Sequence, residues 1–256
     1  MSLLPDYSRQ AEHYDQTRSA SPSVLRPLRE ALRGAPGSRL ADIGGGTGNY
    51  ALALRNDGWQ PVVIDRSSAM LNRASSKGLE TVQADAQHLP LGDETFDAAM
   101  MISMLHHVQD RRAALAEARR ILTPGGRLVL MGFTGEDAAT LWIVDYFPIS
   151  RSWMEATHPP RSAFVSELPG SKLVSFTFDD MEDASLAALA ADPERVLVAA
   201  QRAQTSFFER MWRDHPTELQ AGMARLEEDM AADRAPRRAG TASVLSWTKP
   251  EAPPPA

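Results

Sequence analysis

The stretch ADIGGGTGNY, residues 41–50, decides the fold of this chain of 256 residues. It overlaps a short apolar segment, residues 39–43, that we predict to be a strand, and it opens a predicted helix over 49–56. Glycines between the two let the backbone turn sharply and let a ligand approach without meeting a Cβ atom. The first N–H groups of the following helix remain free to bind that ligand. The pattern suits a nucleotide-like ligand, although it also occurs as a plain tight turn between a strand and a helix.

The spacing of the glycines, and the acids that follow them, narrow the ligand further. Glycine stands at 44, 46 and 48, so the dinucleotide fingerprint G-x-G-x-x-G fails at Asn49, and no Gly-Lys-Ser/Thr phosphate loop follows. Asp65 ends the next predicted strand, where an acid accepts hydrogen bonds from both ribose hydroxyls of an adenosine. Asp85 follows the third predicted strand, where it can accept from the adenine amine. Each acid alone could be a helix cap or a surface charge. Together with Asp42, they favour an adenosine site.

Short apolar strands alternate with helices on both sides of this loop. We predict helices over 22–33, 49–56, 67–76 and 110–122, and strands over 39–43, 60–64, 79–83, 96–102 and 127–133, with a weak helix candidate at 5–17 and a tight turn at 123–126. Residues 96–102 are nearly all apolar, which is typical of a strand buried on both faces. Strands that alternate with helices at this spacing indicate a parallel sheet with right-handed crossovers. We therefore predict an α/β fold with a doubly wound sheet.

The second half of the chain has a different composition, because twelve of the 17 aromatic residues lie from Phe133 onward. We predict closing strands over 172–178 and 241–247 and helices over 185–213 and 216–233. As a cluster, the aromatic residues are expected to roof an apolar pocket; ordinary core packing is the alternative. The predicted organisation is a ligand-binding core with N-terminal cap helices over 1–133, the rest of the sheet with aromatic-rich helical insertions over 134–249, and a disordered tail over 250–256.

The charge and the absence of cysteine exclude several classes of function. The formal net charge is −6, which suits neither sequence-independent nucleic-acid binding nor an anionic membrane surface. Without cysteine there is no disulfide framework, thiolate metal site or cysteine nucleophile. The N-terminus lacks the pattern of a secretory signal, and no uncharged run approaches the roughly 20 residues that cross a bilayer. We expect a cytoplasmic protein that binds no nucleic acid and no membrane.

Four segments in order carry a resemblance to a known family: ADIGGGTGNY, VVIDRSSAML, VQADAQHLPLGDETFDAAMMISMLHHV and LTPGGRLVLMGF. Together they resemble the class I S-adenosylmethionine-dependent methyltransferases, in the branch of the ubiquinone/menaquinone-biosynthesis-type enzymes (methyltransferase type 11). The resemblance covers about residues 7–133. It implies S-adenosylmethionine as cofactor. It also implies a three-layer Rossmann-like sheet, mostly parallel with an antiparallel last strand, plus a helical cap.

The resemblance also implies which residues bind the cofactor. It places the first glycines at the methionine part, Asp65 at the ribose and Asp85 at the adenine, and it folds an N-terminal segment over the cofactor. The implied cofactor-binding residues are Tyr14, Arg18, Asp42, Gly44, Gly46, Asp65, Arg66, Met70, Asp85, Ala86, Gln87 and Ser103.

Methyl transfer from a sulfonium is an in-line displacement with a neutral leaving group, so it needs alignment more than a metal or a strong acid. A hydroxyl or protonated amine acceptor also needs a base. His106 and His107 follow the fourth strand, at the edge where open α/β sheets bind ligands, and are the candidate bases. A purely structural role is the alternative. Tyr14 is a further catalytic candidate, His13 and His158 are weaker ones, and no ligand spacing predicts a metal.

These residues predict an enzyme that transfers a methyl group to oxygen, nitrogen or carbon of a small, partly apolar molecule, plausible in secondary metabolism, as a monomer or homodimer. The alternatives are an enzyme that uses S-adenosylmethionine for cyclisation or carboxyl-group transfer, and a tRNA or protein methyltransferase. An NAD-dependent oxidoreductase is disfavoured because the third glycine of the dinucleotide fingerprint is missing.

Overall fold

The computed structural model describes residues 20–178, 185–203 and 205–251. The strands of this part are β1 (Arg39–Ile43), β2 (Gln60–Asp65), β3 (Glu80–Gln83), β4 (Phe96–Ile102), β5 (Leu122–Gly132), β6 (Lys172–Thr177) and β7 (Thr241–Thr248). They form a seven-stranded sheet, within the described residues, in the order β3-β2-β1-β4-β5-β7-β6. Neighbouring strands from β3 to β5 are parallel, whereas β7 runs antiparallel to both β5 and β6. The predicted α/β fold with an antiparallel last strand is confirmed.

Helices flank this sheet, and the helices that follow β5 along the chain build a cap beside it. Those beside the parallel strands are α1 (Pro22–Leu32), α2 (Asn49–Asn56), α3 (Ser68–Ser76) and α4 (Arg111–Ile121), with a short 3-10 helix at Leu105–His107. The later ones are α5 (Gly135–Ala138), α6 (Ile143–Tyr146), α7 (Ser150–Thr157), α8 (Arg161–Glu167), α9 (Leu186–Ala191), α10 (Pro193–Leu197), α11 (Ala199–Arg202), α12 (Ser206–Asp214) and α13 (Pro216–Ala231). None of the helices in the described part of the chain combines the length and hydrophobicity that a bilayer crossing requires.

Strand β4 shows why the sheet has two covered faces. Ala98 and Met100 pack into the cluster formed with α1, α2 and α3, while Ala99 and Met101 pack into the cluster formed with α4 and α8. All four side chains are fully buried. Successive residues of a strand point to opposite faces, so an apolar run is what a central strand of a three-layer sandwich needs. The burial on both faces predicted from this run is confirmed, as is the three-layer sheet that the family resemblance implies.

The predicted tight turn at 123–126 is wrong, because these residues belong to the first part of β5. Phe96 pairs with Leu122 and Ala98 pairs with Arg127, so the residues between bulge out of the ladder without ending the strand. Gly125, at φ +77°, donates its N–H to the carbonyl of Lys249, whose own N–H is donated to the carbonyl of Gly126. Backbone pairing with the segment after β7 therefore replaces the turn.

The predicted continuous helix over 185–213 is also wrong, since in the described residues that segment is divided among α9, α10, α11 and α12. Asp192 is extended, with φ −137° and ψ 94°, because the following Pro193 excludes the helical conformation at that position. Thr205 is extended too, and its hydroxyl caps α12 by accepting from the N–H of Phe208. The weak helix candidate at 5–17 and residues 252–256 of the predicted tail lie outside the described residues.

The aromatic residues of the second half form a core of their own. Trp142 and Phe147 are fully buried, and Phe147 makes edge-to-face contacts with Phe207 and Phe208 at centroid distances of 6.0 and 5.5 Å. The Trp142 indole N–H donates to the carbonyl of Ala190 over 2.7 Å, which satisfies its one polar group. The expectation that the aromatic cluster roofs a pocket is wrong for these four side chains, because they pack against each other.

A buried carboxylate joins this cap to the sheet. Asp137, fully buried in α5, accepts hydrogen bonds from the N–H and hydroxyl of Thr134 and from the hydroxyls of Thr241 and Ser243 in β7. It also forms an ion pair of 2.8 Å with Arg161 of α8. These donors lower the pKa of Asp137, against the burial that by itself would raise it. A buried charge with this many partners fixes the position of the cap over β7.

Candidate functional site

The glycine loop is held against the end of β2 by its own backbone. The N–H groups of Gly44 and Gly45 donate to the carbonyl of Ile64 over 2.7 and 3.2 Å. Gly44, Gly46 and Gly48 have φ values of +71°, +56° and +74°, which lie in the region that favours glycine. The loop residues were predicted from this conformational freedom, and the structure places them at the carboxyl ends of β1 and β2.

Asp65 connects this loop to the start of α3. One carboxylate oxygen accepts from the N–H of Gly46 over 3.0 Å, and the other accepts from the N–H of Ser67 over 2.8 Å. Each oxygen keeps a further lone pair, and the side chain is only partly buried. Asp65 is therefore oriented before any ligand arrives and can still accept from the two hydroxyls of a ribose.

The space beside each glycine shows where a ligand fits. A Cβ built on Gly46 would meet no atom of the described residues within 4 Å, so that side of the loop is open within this part of the chain. A Cβ on Gly45 would lie 2.5 Å from the carboxyl of Asp42, and one on Gly48 would lie 2.5 Å from the side chain of Leu79. The second and last glycines are thus needed for packing within the protein, whereas Gly46 faces the space that a ligand would fill.

Asp42, at 2% exposure, lies beneath the loop. Burial and, as the smaller cause, the nearby negative charge of Asp65 together raise the pKa of its carboxyl to about 8. A group in this position is uncharged at neutral pH in the bare protein. A ligand carrying a positive charge nearby would favour its ionised form.

The third acidic position is built around a glutamine. The Asp85 carboxylate accepts from the backbone N–H of Gln87 over 2.9 Å. It also accepts from the side-chain amide of Gln87, whose nitrogen lies 3.0 and 3.1 Å from the two carboxylate oxygens. The Gln87 amide oxygen accepts from the N–H of Asp110, the residue that caps α4. The hydrogen bonds from Gln87 lower the pKa of the exposed Asp85 carboxyl. Gln87 thereby fixes the acid that the sequence predicts for the adenine end, with Ala86 partly buried between them.

The remaining predicted cofactor residues lie around the same edge with different exposure. Arg66 is exposed directly after β2, whereas Met70 is 3% exposed within α3 and belongs to the core. Ser103 directly follows β4 at φ +50°, unusual for a residue with a side chain, and donates its N–H to the carbonyl of Met131. Met104 was missed from the sequence, yet its side chain covers Gly44 so closely that a Cβ there would approach it to 2.9 Å.

The rings of His106, His107 and His158 meet where the cap contacts the sheet edge. The centroids of His106 and His107 are 3.8 Å apart, and the rings of His106 and His158 are stacked at 5.3 Å with an angle of 22° between them. Phe133 contacts His158 edge-on at 6.2 Å. The sequence predicted the first two histidines at this edge, but the approach of His158, which is far away along the chain, could not be read from spacing.

All three histidines are held in the neutral form. Burial lowers the pKa of His106 well below its usual value, and the neighbouring His107 and His158 lower it further. Burial also lowers the pKa of His107 to about 4, helped by the charge of Arg66. Burial lowers the pKa of His158, and a hydrogen bond to the carbonyl of Met154 opposes that shift. A neutral imidazole keeps one nitrogen lone pair that can accept a hydrogen bond, and it carries no charge to attract an anion.

A small cavity lies beside this cluster. Its volume is about 40 Å³, and its walls include Ser103, His106, Phe133 and Phe164. That volume holds a few water molecules, whereas sites for small molecules usually occupy several hundred Å³. The cavity, whose walls are mostly apolar, therefore marks a corner of the site rather than a complete acceptor pocket.

Several sequence predictions fall elsewhere. Tyr14, Arg18 and His13 lie outside the described residues. Within the part of the chain that the structure describes, no group of histidine, aspartate and glutamate side chains has the geometry to hold a metal ion.

The match to known families falls on the strands and loops that build this site. The model of a family described as a methyltransferase domain matches residues 41–130, which span the glycine loop, Asp65, Asp85 and both histidines of the sheet edge. This region is a class I methyltransferase domain. The cofactor of such domains is S-adenosylmethionine.

Curated relatives support the same assignment over part of their length. The demethylmenaquinone methyltransferase of Mycobacterium tuberculosis is 37% identical over 109 residues, which cover 43% of this chain and 47% of that protein. The tRNA (carboxymethyluridine(34)-5-O)-methyltransferase of Arabidopsis thaliana is 32% identical over 163 residues, or 62% of this chain and 39% of that one. The chain thus matches about half the length, or less, of these relatives.

One solved structure resembles both the methyltransferase domain and its cap. A candidate methyltransferase from an antibiotic biosynthesis pathway of Anabaena variabilis superposes with a TM-score of 0.76 at 25% identity, covering 90% of this chain and 99% of the other. The similarity extends well beyond residues 41–130, so the combination of methyltransferase domain and cap is shared as a fold.

Proposed function

We propose that this protein is an S-adenosylmethionine-dependent methyltransferase whose acceptor is a small, partly apolar molecule methylated on oxygen, nitrogen or carbon. The observation that carries the proposal is the position of Asp65. Its carboxylate accepts from the N–H of Gly46, on the side of the loop that the described residues leave open. An adenosyl ligand held there would place its ribose on the acid and its methionine end over the loop.

The proposed cofactor site contains residues from four strand ends and from the N-terminal segment. Asp42, under the loop, is the acid nearest the methionine end, and Ser103 lies at the end of the neighbouring strand. Asp85 accepts at the adenine, oriented by Gln87. The proposed set is Tyr14, Arg18, Asp42, Gly44, Gly46, Asp65, Arg66, Met70, Asp85, Ala86, Gln87 and Ser103.

The proposed division of labour follows the two regions of the chain. Residues 1–133 would bind the cofactor, and residues 134–249 would complete the sheet and carry the helical cap that selects the acceptor, with 250–256 as a tail. Support comes from the position of the cap, whose His158 contacts the sheet edge beside His106. The acidic net charge of −6 favours a small molecule over a nucleic acid as acceptor.

The chemistry proposed for the site relies on alignment and proton removal. Bound S-adenosylmethionine supplies an electrophilic methyl group. The loop and Asp65 hold the donor in one orientation, and such positioning can provide several kcal/mol of the rate enhancement. His106 and His107 are neutral at the sheet edge and, with Tyr14, are the proposed catalytic residues. A neutral imidazole there can take a proton from a hydroxyl or an amine.

The experiment that tests this function follows the methyl group. The protein is incubated with methyl-labelled S-adenosylmethionine and a cell extract, which is then separated into RNA, protein and metabolite fractions. We expect label in the metabolites together with an equal amount of S-adenosylhomocysteine. Label in RNA or protein would show that the acceptor is a macromolecule and not a small molecule. Methylthioadenosine without transferred label would indicate cyclisation instead. Sizing and fractionation of the native protein would test the proposed monomer or homodimer and its cytoplasmic location.

A further inference from the structure

His158 has a hydrogen-bonding environment that fixes which of its nitrogens carries the proton. Its Nδ1 lies 3.0 Å from the carbonyl oxygen of Met154 and 3.0 Å from the hydroxyl of Thr157. A carbonyl only accepts, and the Thr157 hydroxyl already donates to the carbonyl of Trp153 over 2.8 Å. Nδ1 must therefore carry the hydrogen and donate it. The neutral ring then presents Nε2 as a lone-pair acceptor.

His106 differs from His158 in this respect. Its ring contacts the other two rings and borders the cavity, and among the described residues no hydrogen bond sets its tautomer. Proton-abstracting histidines share one arrangement: the ring nitrogen that does not take the proton is hydrogen-bonded to another group, which orients the ring. His158 has that arrangement, with the Met154 carbonyl as the orienting group. Stacking on His106 restricts the remaining rotation of the ring.

We propose that, within this histidine cluster, His158 of the cap rather than His106 or His107 is the base that takes the proton of the acceptor, with His106 as the positioning residue stacked against it. This inference rests on the proposed methyltransferase function and narrows the acceptor to an uncharged molecule with an ionisable O–H or N–H. The proton moves from the acceptor to Nε2. The electron pair it leaves bonds to the methyl carbon, and the pair of the broken carbon–sulfur bond stays on sulfur.

The charges around His158 agree with this assignment. The rings that face it from the sheet edge, His106 and His107, are neutral, and both have lowered pKa values. On the adjoining cap segments, the Glu136 carboxylate accepts from the backbone N–H of Arg161, whose guanidinium pairs with Asp137. These charges are thus engaged with each other. Burial lowers the pKa of His158 itself, so the base is available at neutral pH and is lost by protonation only below about 6.5.

The tautomer can be measured on the protein alone. Long-range ¹H–¹⁵N correlation spectra of the histidine rings should show His158 with a protonated Nδ1 and a free Nε2 at pH 7, and protonation of Nε2 on acidification below pH 6.5. A proton on Nε2 at pH 7 would overturn the proposal. This readout does not depend on cofactor or acceptor, so it tests the tautomer separately from the methyltransferase function.

The kinetic arm uses the metabolite extract as acceptor and S-adenosylhomocysteine formation as readout. His158→Asn keeps a donor for the Met154 carbonyl but removes the base, and the rate should fall about 100-fold or more and lose its decline at low pH. The Kd for S-adenosylhomocysteine should stay within about twofold, as should every parameter of the control His215→Gln. His106→Phe keeps a stacked ring and should lower the rate by about tenfold or less, with the pH profile retained.

Two results would overturn the assignment while leaving the proposed function intact. One is a His158→Asn variant with the rate and pH profile of the parent. The other is loss of the pH dependence in His106→Phe instead, which would make His106 the base. If the unmodified protein neither binds S-adenosylmethionine nor forms S-adenosylhomocysteine, the proposed function itself is wrong.

Discussion

The methyltransferase domain and the cap bury their hydrophobic residues in different ways. In residues 39–132, the helices pack against the two faces of the sheet and form one hydrophobic cluster on each face. In the cap, short helices surround an aromatic cluster centred on Trp142 and Phe147. The domain positions its site through backbone geometry at strand ends, whereas the cap depends on one buried charge, Asp137. In the proposed function, the domain binds the cofactor and the cap, held by this charge, lies on the acceptor side.

The largest expected effect comes from removing that charge. Asp137→Asn leaves Arg161 beside an uncharged group and disturbs the bonds to Thr134, Thr241 and Ser243, so the free energy of unfolding should fall by about 3–5 kcal/mol. Urea denaturation measures the loss, and hydrogen exchange should locate it in the cap with the strands of the domain still protected.

The matched control is Asp145→Asn in α6, whose partner Arg151 is about half exposed. An exposed pair contributes about 0–1 kcal/mol. Equal losses in the two variants would contradict the anchoring role of Asp137, and uniform exchange across domain and cap would make the two regions one cooperative unit.

The second prediction concerns pH, to which two buried groups of the domain, Asp42 and His107, respond with opposite sign. Asp42 has a pKa of about 8 in the folded protein against 3.8 unfolded, so its contribution is full below pH 3.8 and is lost as pH rises through 8. His107 has a pKa of about 4 against 6.5, so its contribution is full above pH 6.5 and is lost as pH falls through 4.

Asp42→Asn separates these two effects, because asparagine stays neutral throughout. Its advantage in the free energy of unfolding over the parent should grow from pH 4 to pH 8 by roughly 2 kcal/mol or more. The surface variant Asp93→Asn should show no such trend, since the Asp93 side chain is 73% exposed. Parallel pH curves for the parent and Asp42→Asn would contradict the buried, uncharged carboxyl.

The smallest effect on stability is expected at Gly46. An alanine there meets no neighbouring atom but must adopt φ +56°, so the free energy of unfolding should fall by only about 1 kcal/mol. Affinity for S-adenosylhomocysteine should fall much more, because the added methyl group occupies the open side of the loop. Gly48→Ala should reverse the pattern, with a larger loss of stability caused by contact with Leu79. Unchanged affinity in Gly46→Ala would show that the ligand does not bind on this side of the loop.

Most of the methyltransferase domain was predictable because its signals are local. The strand at 39–43, the helix at 49–56 and the strand at 96–102 have the bounds expected from apolar runs and glycine stops. The acids at the strand ends were predictable for the same reason, since parallel strands bring their carboxyl ends to one edge.

The cap was much less predictable, because its structure depends on contacts between distant segments. Asp137 reads as an ordinary helix-cap acid in the sequence, yet it binds Ser243 of β7, 106 residues away along the chain, and Arg161 of α8, 24 residues away. Pro193 was the one local signal for the break in the 185–213 helix. His158 gained its importance only when the fold brought it to His106, and Met104 gave no signal at all for its contact with Gly44.

The central claim, an adenosyl sulfonium bound at Asp65, is tested most directly by calorimetry with S-adenosylmethionine and S-adenosylhomocysteine. We predict that the unmodified protein binds both and that Asp65→Ala weakens each by about 100-fold, the effect of losing hydrogen bonds to a charged acceptor. Asp93→Ala should bind like the parent. No measurable binding by the unmodified protein, or equal affinity in Asp65→Ala, would contradict the account.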